Sequence, residues 1–421
     1  MPTLLNVDET LRLILAEITT LPAEEVALSD SLGRILAIDI SAATPLPPFA
    51  NSSMDGFAVR AADTGAATPD HPVTLPVSLD IAAGDAPMAT LPPGTAARIM
   101  TGAPLPPGAD AVVPLEATDA HWAAGDSARP PETIRIHQPA RPGDYIRPAG
   151  EDIQAGQIVL RAGAEIDPPA IGVLAALGWP RVPVIRQPRV TILSSGDELI
   201  GVEEPLAPGK VRDSNSYVLE ALVRQHGGLP RRIPVARDTL ADVRRRLQEA
   251  LAWQPDLLIS SAGVSVGAHD MVRTALDELG KIRLWRINLR PGKPLAYGRL
   301  ADVPFFGLPG NPVSVQITFD VIVRPALLKM AGRPDVVPMA QAILEEDIAA
   351  DGRLTYFRVR LRRGPDGQLY ASSTGTQSSG AMLSMVLADG LLIIPAGVHS
   401  ARAGEQFPVR LLRTPGWLPP A

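Results

Sequence analysis

A chain of 421 residues with no cysteine, a net charge of −6 and only 4% aromatic residues excludes several classes of function. Disulfides, thiolate metal sites and cysteine nucleophiles are ruled out, and scattered basic residues with few aromatics argue against a nucleic-acid surface. The length accommodates two to four domains. The start MPTLLNVDETLRLIL has no basic n-region, and no apolar run reaches the ~20 residues of a spanning helix, so a cytoplasmic protein is expected. Proline, at 44 residues, marks rigid joints between aliphatic runs.

In chain order, Val7, Leu11, Ile14, Leu15 and Ile18 have helical spacing, with Asp8 as the expected cap. Residues 24–40 read as strand, turn, strand. PLPPF (45–49) marks a boundary, and NSSMDGFAVR (51–60) places an Asp55-Gly56 turn before a short strand. Residues 73–115 form a β-rich insert containing RIMTGAPLPPGAD (98–110). Thr101 in that Gly/Pro-rich turn reads, on its own, as a capping hydroxyl. HWAAGDSARPPE (121–132) is an exposed loop or hairpin tip. RPGDYIRPAGEDI (141–153) marks a second boundary. Asp167-Pro168-Pro169 caps a helix over 170–177 that stops at Gly178. This returning segment is expected to pack on the first helix. Residues 1–40 and 145–187 then form a discontinuous linking domain around a β-rich insert domain of 41–144.

From Arg189 the pattern changes. VTILSS (190–195), RRIPV (231–235), LLIS (257–260), LWRINL (284–289) and VPFFG (303–307) read as strands. Helical patterns lie between them, one over 214–227 with Ser214 near its cap and one after Asp238-Thr239. This alternation predicts a doubly wound α/β domain over 188–330. In such sheets ligands sit outside the carboxyl ends of the strands. Three loops lie there: SSAGVSVGAHD (260–270), RPGKP (290–294) and GLPGNPVS (307–314), the last opening a helix over Pro312–Met330. Residues 331–421 carry strands at 353–362, 368–373, 391–396 and 407–412 and a short helix at 381–388, which reads as a small β-barrel or sandwich.

The Gly/Ser-rich loop lets backbone N–H groups approach a phosphate without an intervening side chain. Asp197, Glu198, Asp213, Asp238 and Asp270 fall on one rim of the sheet. Singly, each suits a helix cap or a solvated turn; together they suit a Mg²⁺ shared with substrate phosphate. Arg290 and Lys293 are held by flanking prolines, and an anion between them gains charge-assisted hydrogen bonds. The six histidines are dispersed, with no metal-ligand spacing. His269, the one histidine in a motif loop, reads as a helix-start residue.

The three loops, together with N-S-S-M-D-G-F-A at 51–58, T-G-A-P at 101–104 and the Arg147, Gly150, Asp152 pattern, resemble the molybdopterin molybdenumtransferase family, the MoeA type related to the gephyrin E domain. The resemblance spans nearly the whole chain. It implies that adenylylated molybdopterin and molybdate yield molybdenum cofactor and AMP, with Mg²⁺ as cofactor. A chain without cysteine fits, since the substrate's dithiolene supplies the sulfurs. The implied catalytic residues are Asp55, Thr101, Asp152, Glu198, Asp238, Asp270 and Lys293, with Glu198, Asp238 and Asp270 as metal ligands. The implied pterin-nucleotide contacts are Ser195, Gly196 and Asp197, then Asp213, Ser214 and Asn215, then Gly263, Ser265 and Gly267, then Pro309, Gly310, Asn311 and Pro312. Molybdate falls to Arg290, Lys293, Ser314, Arg358 and Ser384, the barrel strand being matched around Arg353, Tyr356, Phe357 and Arg358. The family often has Lys at the position of Arg290, so the oxyanion geometry is expected to differ there. Family members are homodimers with Asp55 and Thr101 acting across the subunit interface, and their partners include the molybdopterin adenylyltransferase and molybdoenzyme chaperones. Two rival readings are an adenylyltransferase, disfavoured by the additional domains, and a non-catalytic scaffold, disfavoured by the intact acidic residues.

Overall fold

The computed structural model describes residues 4–86, 89–121, 129–261, 278 and 280–413. One unit comprises Met1–Glu25, Gly33–Ala37 and Pro183–Ala421; the other comprises Val26–Leu32 and Ile38–Val182. Helix α1 (Val7–Ala16) opens the first unit. Its cap is Asn6, whose side chain accepts from the N–H of Asp8, so Asp8 lies in the first turn rather than at the cap. Val7 and Ile14 of α1, with Ile18 just beyond, are buried among Ile287, Leu327 and Met330 of the α/β body. In this two-unit division α1 falls in the first unit and 145–182 in the second.

The second unit is built on a five-stranded sheet. Its strands are β1 (Gly56–Val59), β2 (Val73–Ile81), β3 (Ala96–Ile99), β4 (Ala111–Pro114) and β5 (Thr133–Ile136), in the order β4-β1-β3-β2-β5. Alternation along β1 sends Phe57 and Val59 to one buried cluster and Ala58 to the other, so both faces are covered. Gly56 has to be glycine, because a Cβ there would collide with the backbone carbonyl of Val113 on the paired strand. Elsewhere in this unit, Ile40–Ser41 pairs antiparallel with Ile158–Leu160. Helix α2 (Pro168–Ala176) is capped by Asp167, which accepts from the N–H of Ala170, and Gly178 follows it at φ +79°.

The α/β body of the first unit contains β6 (Arg189–Ser195), α3 (Asn215–Gln225), β7 (Leu229–Ala236), α4 (Leu240–Ala252), β8 (Leu257–Ser261), β9 (Gly280–Arg286), β10 (Pro294–Leu300) and β11 (Val303–Leu308). The sheet order is β7-β6-β8-β11-β10-β9. The pairs β7–β6, β6–β8 and β8–β11 are parallel, as expected of a doubly wound domain. The pairs β11–β10 and β10–β9 are antiparallel. The apolar pattern at 284–289 predicts one buried strand there and gives no sign of β10. Instead β9 ends at Arg286 on the sheet edge, and RPGKP turns the chain back into β10 with Arg286 opposite Pro294. After β11 a continuous helical stretch runs through α5 (Pro312–Thr318), a π-turn (Phe319–Val323) and α6 (Arg324–Met330).

The rest of the unit is a closed five-stranded barrel of β12 (Met339–Leu344), β13 (Leu354–Arg363), β14 (Leu369–Ser373), β15 (Gly390–Ile394) and β16 (Gln406–Leu411), with α7 (Leu383–Leu387) between β14 and β15. Closure follows the cycle β13-β14-β12-β16-β15 and back to β13. Val359, Leu361, Ala371, Leu392, Phe407 and Val409 fill the interior. The barrel is joined to the α/β loops by backbone bonds. Leu289–Arg290 pairs in parallel with Leu354–Thr355, and the N–H of Val313 donates to the carbonyl of Ser379 at 3.0 Å.

Candidate active site

A cavity of about 640 Å³ opens where two of the α/β loops meet the barrel. RPGKP contributes Arg290 and Lys293, and GLPGNPVS contributes Pro309, Gly310, Asn311 and Ser314. The barrel contributes Arg353, Thr355 and Arg358 from β13 and its start, and Gln377, Ser378 and Ser379 from the loop after β14. Three arginines and a lysine converge on this space, and among the described residues no carboxylate lines it. Gly292 keeps the RPGKP loop tight. Its φ is +123°, and an added Cβ would meet Thr318 Oγ1 and the Leu289 side chain.

Arg358 is the centre of the site. The residue is 1% exposed, yet it has no carboxylate partner among the described residues. Its Nε donates to Ser384 Oγ at 3.0 Å, and its Nη2 donates to the carbonyls of Thr376 and Ser378 at 3.3 and 3.0 Å. Burial, and then the nearby Arg290 charge, pull its guanidinium down to about 10. An unpaired buried cation is costly unless something neutralises it, and the cavity is where a counter-anion would sit. Ser384 itself is 3% exposed and does not line the cavity. Its hydroxyl donates to the Ala381 carbonyl and so acts behind Arg358 rather than on a ligand. Asp351 stands outside the lining but next to it. It accepts from Arg353 Nη2 at 2.5 Å and lies 3.7 Å from Arg290 Nη1. The Arg353 hydrogen bond chiefly holds its carboxyl below the usual range.

The acidic residues behave differently from one another. Asp197 and Asp238 follow β6 and β7 at the carboxyl edge of the parallel strands, and each carboxylate accepts from the other's backbone N–H, at 3.1 and 3.3 Å. Glu198 is exposed, and its carboxylate folds over Gly196, which has φ +148°. Lys210 Nζ donates to the Asp197 carbonyl at 2.5 Å, and Arg237 Nη1 donates to the Leu199 carbonyl at 3.0 Å. Asp213 is buried and accepts from the N–H of Ser216, so it caps α3. Ser214 makes no side-chain cap bond. The capping role expected near Ser214 therefore falls to Asp213, which gives one carboxylate oxygen to it. Asn215 Nδ2 donates to the Gly310 carbonyl at 2.8 Å and ties the start of α3 to the GLPGNP loop. Ser195 is buried at the end of β6, and Pro312 begins α5. Gly263, Ser265, Gly267 and Asp270 lie outside the described residues.

In the second unit, Thr101 donates to Asp55 Oδ1 twice, from its N–H and from its hydroxyl, each at 2.7 Å. The structure thus joins two residues that lie in separate motifs of the sequence. Asp152 is exposed in the same unit, its N–H donating to the Leu46 carbonyl at 3.0 Å. Sequence reasoning missed the contributions of Gln377, Ser378, Ser379, Thr355 and Asp351, and it used Arg353 only to match a pattern. A polar run such as TGTQSSG beside a strand has no spacing that distinguishes a binding loop from a solvated turn.

Residues 5–178 match the family of the MoeA N-terminal region (domain I and II), residues 191–329 a probable molybdopterin binding domain, and residues 341–412 the MoeA C-terminal region (domain IV). A relative from Mycobacterium tuberculosis, molybdopterin molybdenumtransferase 2, is 40% identical over 391 residues, covering 91% of this chain and 94% of its own. The molybdopterin molybdenumtransferase of Bacillus subtilis is 36% identical, covering 93% of this chain and 90% of its own. The crystal structure of a molybdopterin biosynthesis moea protein from Pyrococcus horikosii superposes with a TM-score of 0.83 at 31% identity, covering 98% of this chain and all of that one.

Proposed function

The chain belongs to the molybdopterin molybdenumtransferase (MoeA) family, and from that premise we propose that it transfers molybdenum from molybdate to adenylylated molybdopterin, releasing AMP. The observation that carries this reading is Arg358, a buried guanidinium without an acid partner among the described residues, facing a cavity lined by Arg290 and Lys293. A tetrahedral oxyanion placed there would satisfy all three cations through charge-assisted hydrogen bonds. Ser384 and the Thr376 and Ser378 carbonyls take Nε and Nη2 of Arg358, which leaves Nη1 for an anion. Ser314, buried at the cavity wall, offers a hydroxyl to the same anion. The pterin nucleotide would approach along the carboxyl edge of the parallel strands.

Mg²⁺ belongs to the same proposal, and the residues present fit it in a limited way. Among the described residues no group of three acidic or histidine side chains is gathered to cage a metal. Asp197, Glu198 and Asp238 are exposed, which suits a hydrated Mg²⁺ that draws its remaining ligands from substrate phosphate. Glu198 and Asp238, with Asp270, would hold it. When bound it would withdraw charge from the phosphoanhydride oxygens. The chain's own contribution is to orient the two substrates and to bring a desolvated positive site against the oxyanion. A homodimer in the cytoplasm, supplied by the adenylyltransferase and serving molybdoenzyme chaperones, completes the reading. No helix among the described residues is long and apolar enough to cross a membrane.

The test is AMP release from adenylylated molybdopterin, with and without molybdate and Mg²⁺, for the wild type and Glu198→Ala. Molybdate-dependent release that is lost in the variant supports the proposal. Release indifferent to molybdate would replace it with another reaction on the same ligand. No release under any condition would favour a scaffold.

A further inference from the structure

We propose that Gln377 is the positioning residue that fixes Arg358 for oxyanion capture, an inference that rests on the oxyanion reading of the cavity. Along β13 the pairing with β15 continues through Arg358 and Val359, opposite Leu391 and Gly390. On the other side the pairing with β14 stops at Val359 opposite Ser373. The N–H of Arg358 therefore has no strand neighbour to accept it. The side chain of Gln377 takes that place. Its Oε1 accepts from the Arg358 N–H at 3.0 Å, and its Nε2 donates to the Arg358 carbonyl at 3.0 Å. A primary amide presents a donor and an acceptor side by side, as a strand's backbone does, so Gln377 accepts the Arg358 N–H and shares the Arg358 carbonyl with the Thr374 N–H, which donates to it at 3.2 Å just beyond β14.

The same loop holds the other end of Arg358. The carbonyls of Thr376 and Ser378, the residues on either side of Gln377, receive its Nη2. Backbone and guanidinium are thus clamped by three consecutive residues, and neither grip is independent of the other. Gln377 Nε2 also reaches Ser373 Oγ at 3.3 Å, which anchors the loop to the end of β14. Gln377 lines the cavity while most of its polar capacity is spent on Arg358, so it acts on a ligand chiefly through that residue. Without the clamp the guanidinium would be held only through Nε by Ser384 Oγ, and the cavity's most desolvated charge would lose its fixed direction.

The experiment measures molybdate binding to the full chain by calorimetry, alongside steady-state kinetics, for the wild type, Gln377→Met, Arg358→Ala and the double variant. Methionine keeps the volume and removes both hydrogen bonds. Gln377→Met is expected to raise the Kd and KM for molybdate on the order of tenfold, with the KM for adenylylated molybdopterin within about twofold. The double variant is expected to bind no worse than Arg358→Ala alone, because Gln377 works through Arg358. Unchanged molybdate affinity in folded Gln377→Met, or losses that add in the double variant, would overturn the inference. Should the methionine variant fail to fold, Gln377→Glu keeps the acceptor but removes the donor and adds a charge opposed to the incoming anion. Its molybdate affinity is expected to fall at least as far, and an unchanged value would again overturn the inference. A wild type that binds no molybdate would instead bring down the oxyanion reading itself.

Discussion

Thr101 gives both its N–H and its hydroxyl to one oxygen of Asp55, leaving the other carboxylate oxygen of Asp55 without a bond to Thr101. A carboxylate pinned in this way keeps its direction, with its second oxygen not spent on Thr101. Asp55→Asn and Thr101→Val should each lower turnover by roughly a hundredfold, and the double variant should fall little further, since residues acting as a unit are strongly non-additive. Steady-state kinetics on the four proteins checks this, with melting temperatures confirming that the second unit remains folded. Full additivity would separate the pair into two unrelated contributions.

Arg358→Lys should fail to replace the native residue. A lysine ammonium cannot serve Ser384 Oγ, the Thr376 and Ser378 carbonyls and a ligand from one plane. Molybdate affinity is expected to drop by roughly a hundredfold in both Arg358→Lys and Arg358→Ala. Direct binding measurements check this. A lysine variant close to wild type would show that charge alone suffices.

Asp351 competes with any anion for Arg290 and Arg353. Asp351→Asn should therefore tighten molybdate binding by roughly threefold, with a stability change under about 1 kcal/mol, because the pair is substantially exposed. The gain should shrink in high salt. Titration of the variant at two ionic strengths measures both effects, and weaker binding would mean that Asp351 orders the arginines rather than restraining them.

His226 stacks on Phe319 in a separate hollow of the first unit that is shared with Arg324 and Arg410. Burial and then the neighbouring arginines push it down to about 4. The folded state thus favours the neutral ring, while the unfolded chain protonates near the ordinary histidine value. The stability tied to the neutral ring is fully present above about pH 6.5 and is lost as pH falls toward 4. The loss should be of order 2 kcal/mol by pH 4. Chemical denaturation of the wild type and His226→Gln at pH 7, 6 and 5 checks this, and the gap between them should narrow as pH falls.

The chemistry was more legible in the sequence than the scaffold that aims it. Gly and Pro fix backbone geometry locally, so RPGKP, GLPGNPVS and the Asp55-Gly56 turn could be placed without knowing what packs around them. The barrel's closing strand, Met339–Leu344, was missed because MAQAIL has no clear alternation and few β-branched residues; its pairing with β16 overrides its local preference. Strand β10 was missed because PLAYGRL follows directly on a proline-bounded loop, and nothing local to it shows that the chain reverses there into an antiparallel neighbour of β9. Asp213 shows the opposite limit. A carboxylate on the ligand edge of a sheet reads as a ligand contact, and only the structure shows that one oxygen of Asp213 also caps the helix by accepting from the Ser216 N–H. The contribution of Gln377 depends on where β14 stops opposite β13, which no local pattern encodes.

The pairing of Leu289–Arg290 with Leu354–Thr355 makes the anion cavity a seam as well as a pocket. Arg290 is anchored on one side of that seam and Arg358 on the other, and the bond from Val313 to Ser379 is a second stitch. Easing the barrel away from the sheet would draw Arg290 and Arg358 apart and weaken their joint hold on a bound anion. Letting go of an anion would then need no dedicated trigger in the arginines themselves. A slight unzipping of two short backbone contacts would suffice, and whatever tugs on the barrel from outside would have a hand on the latch.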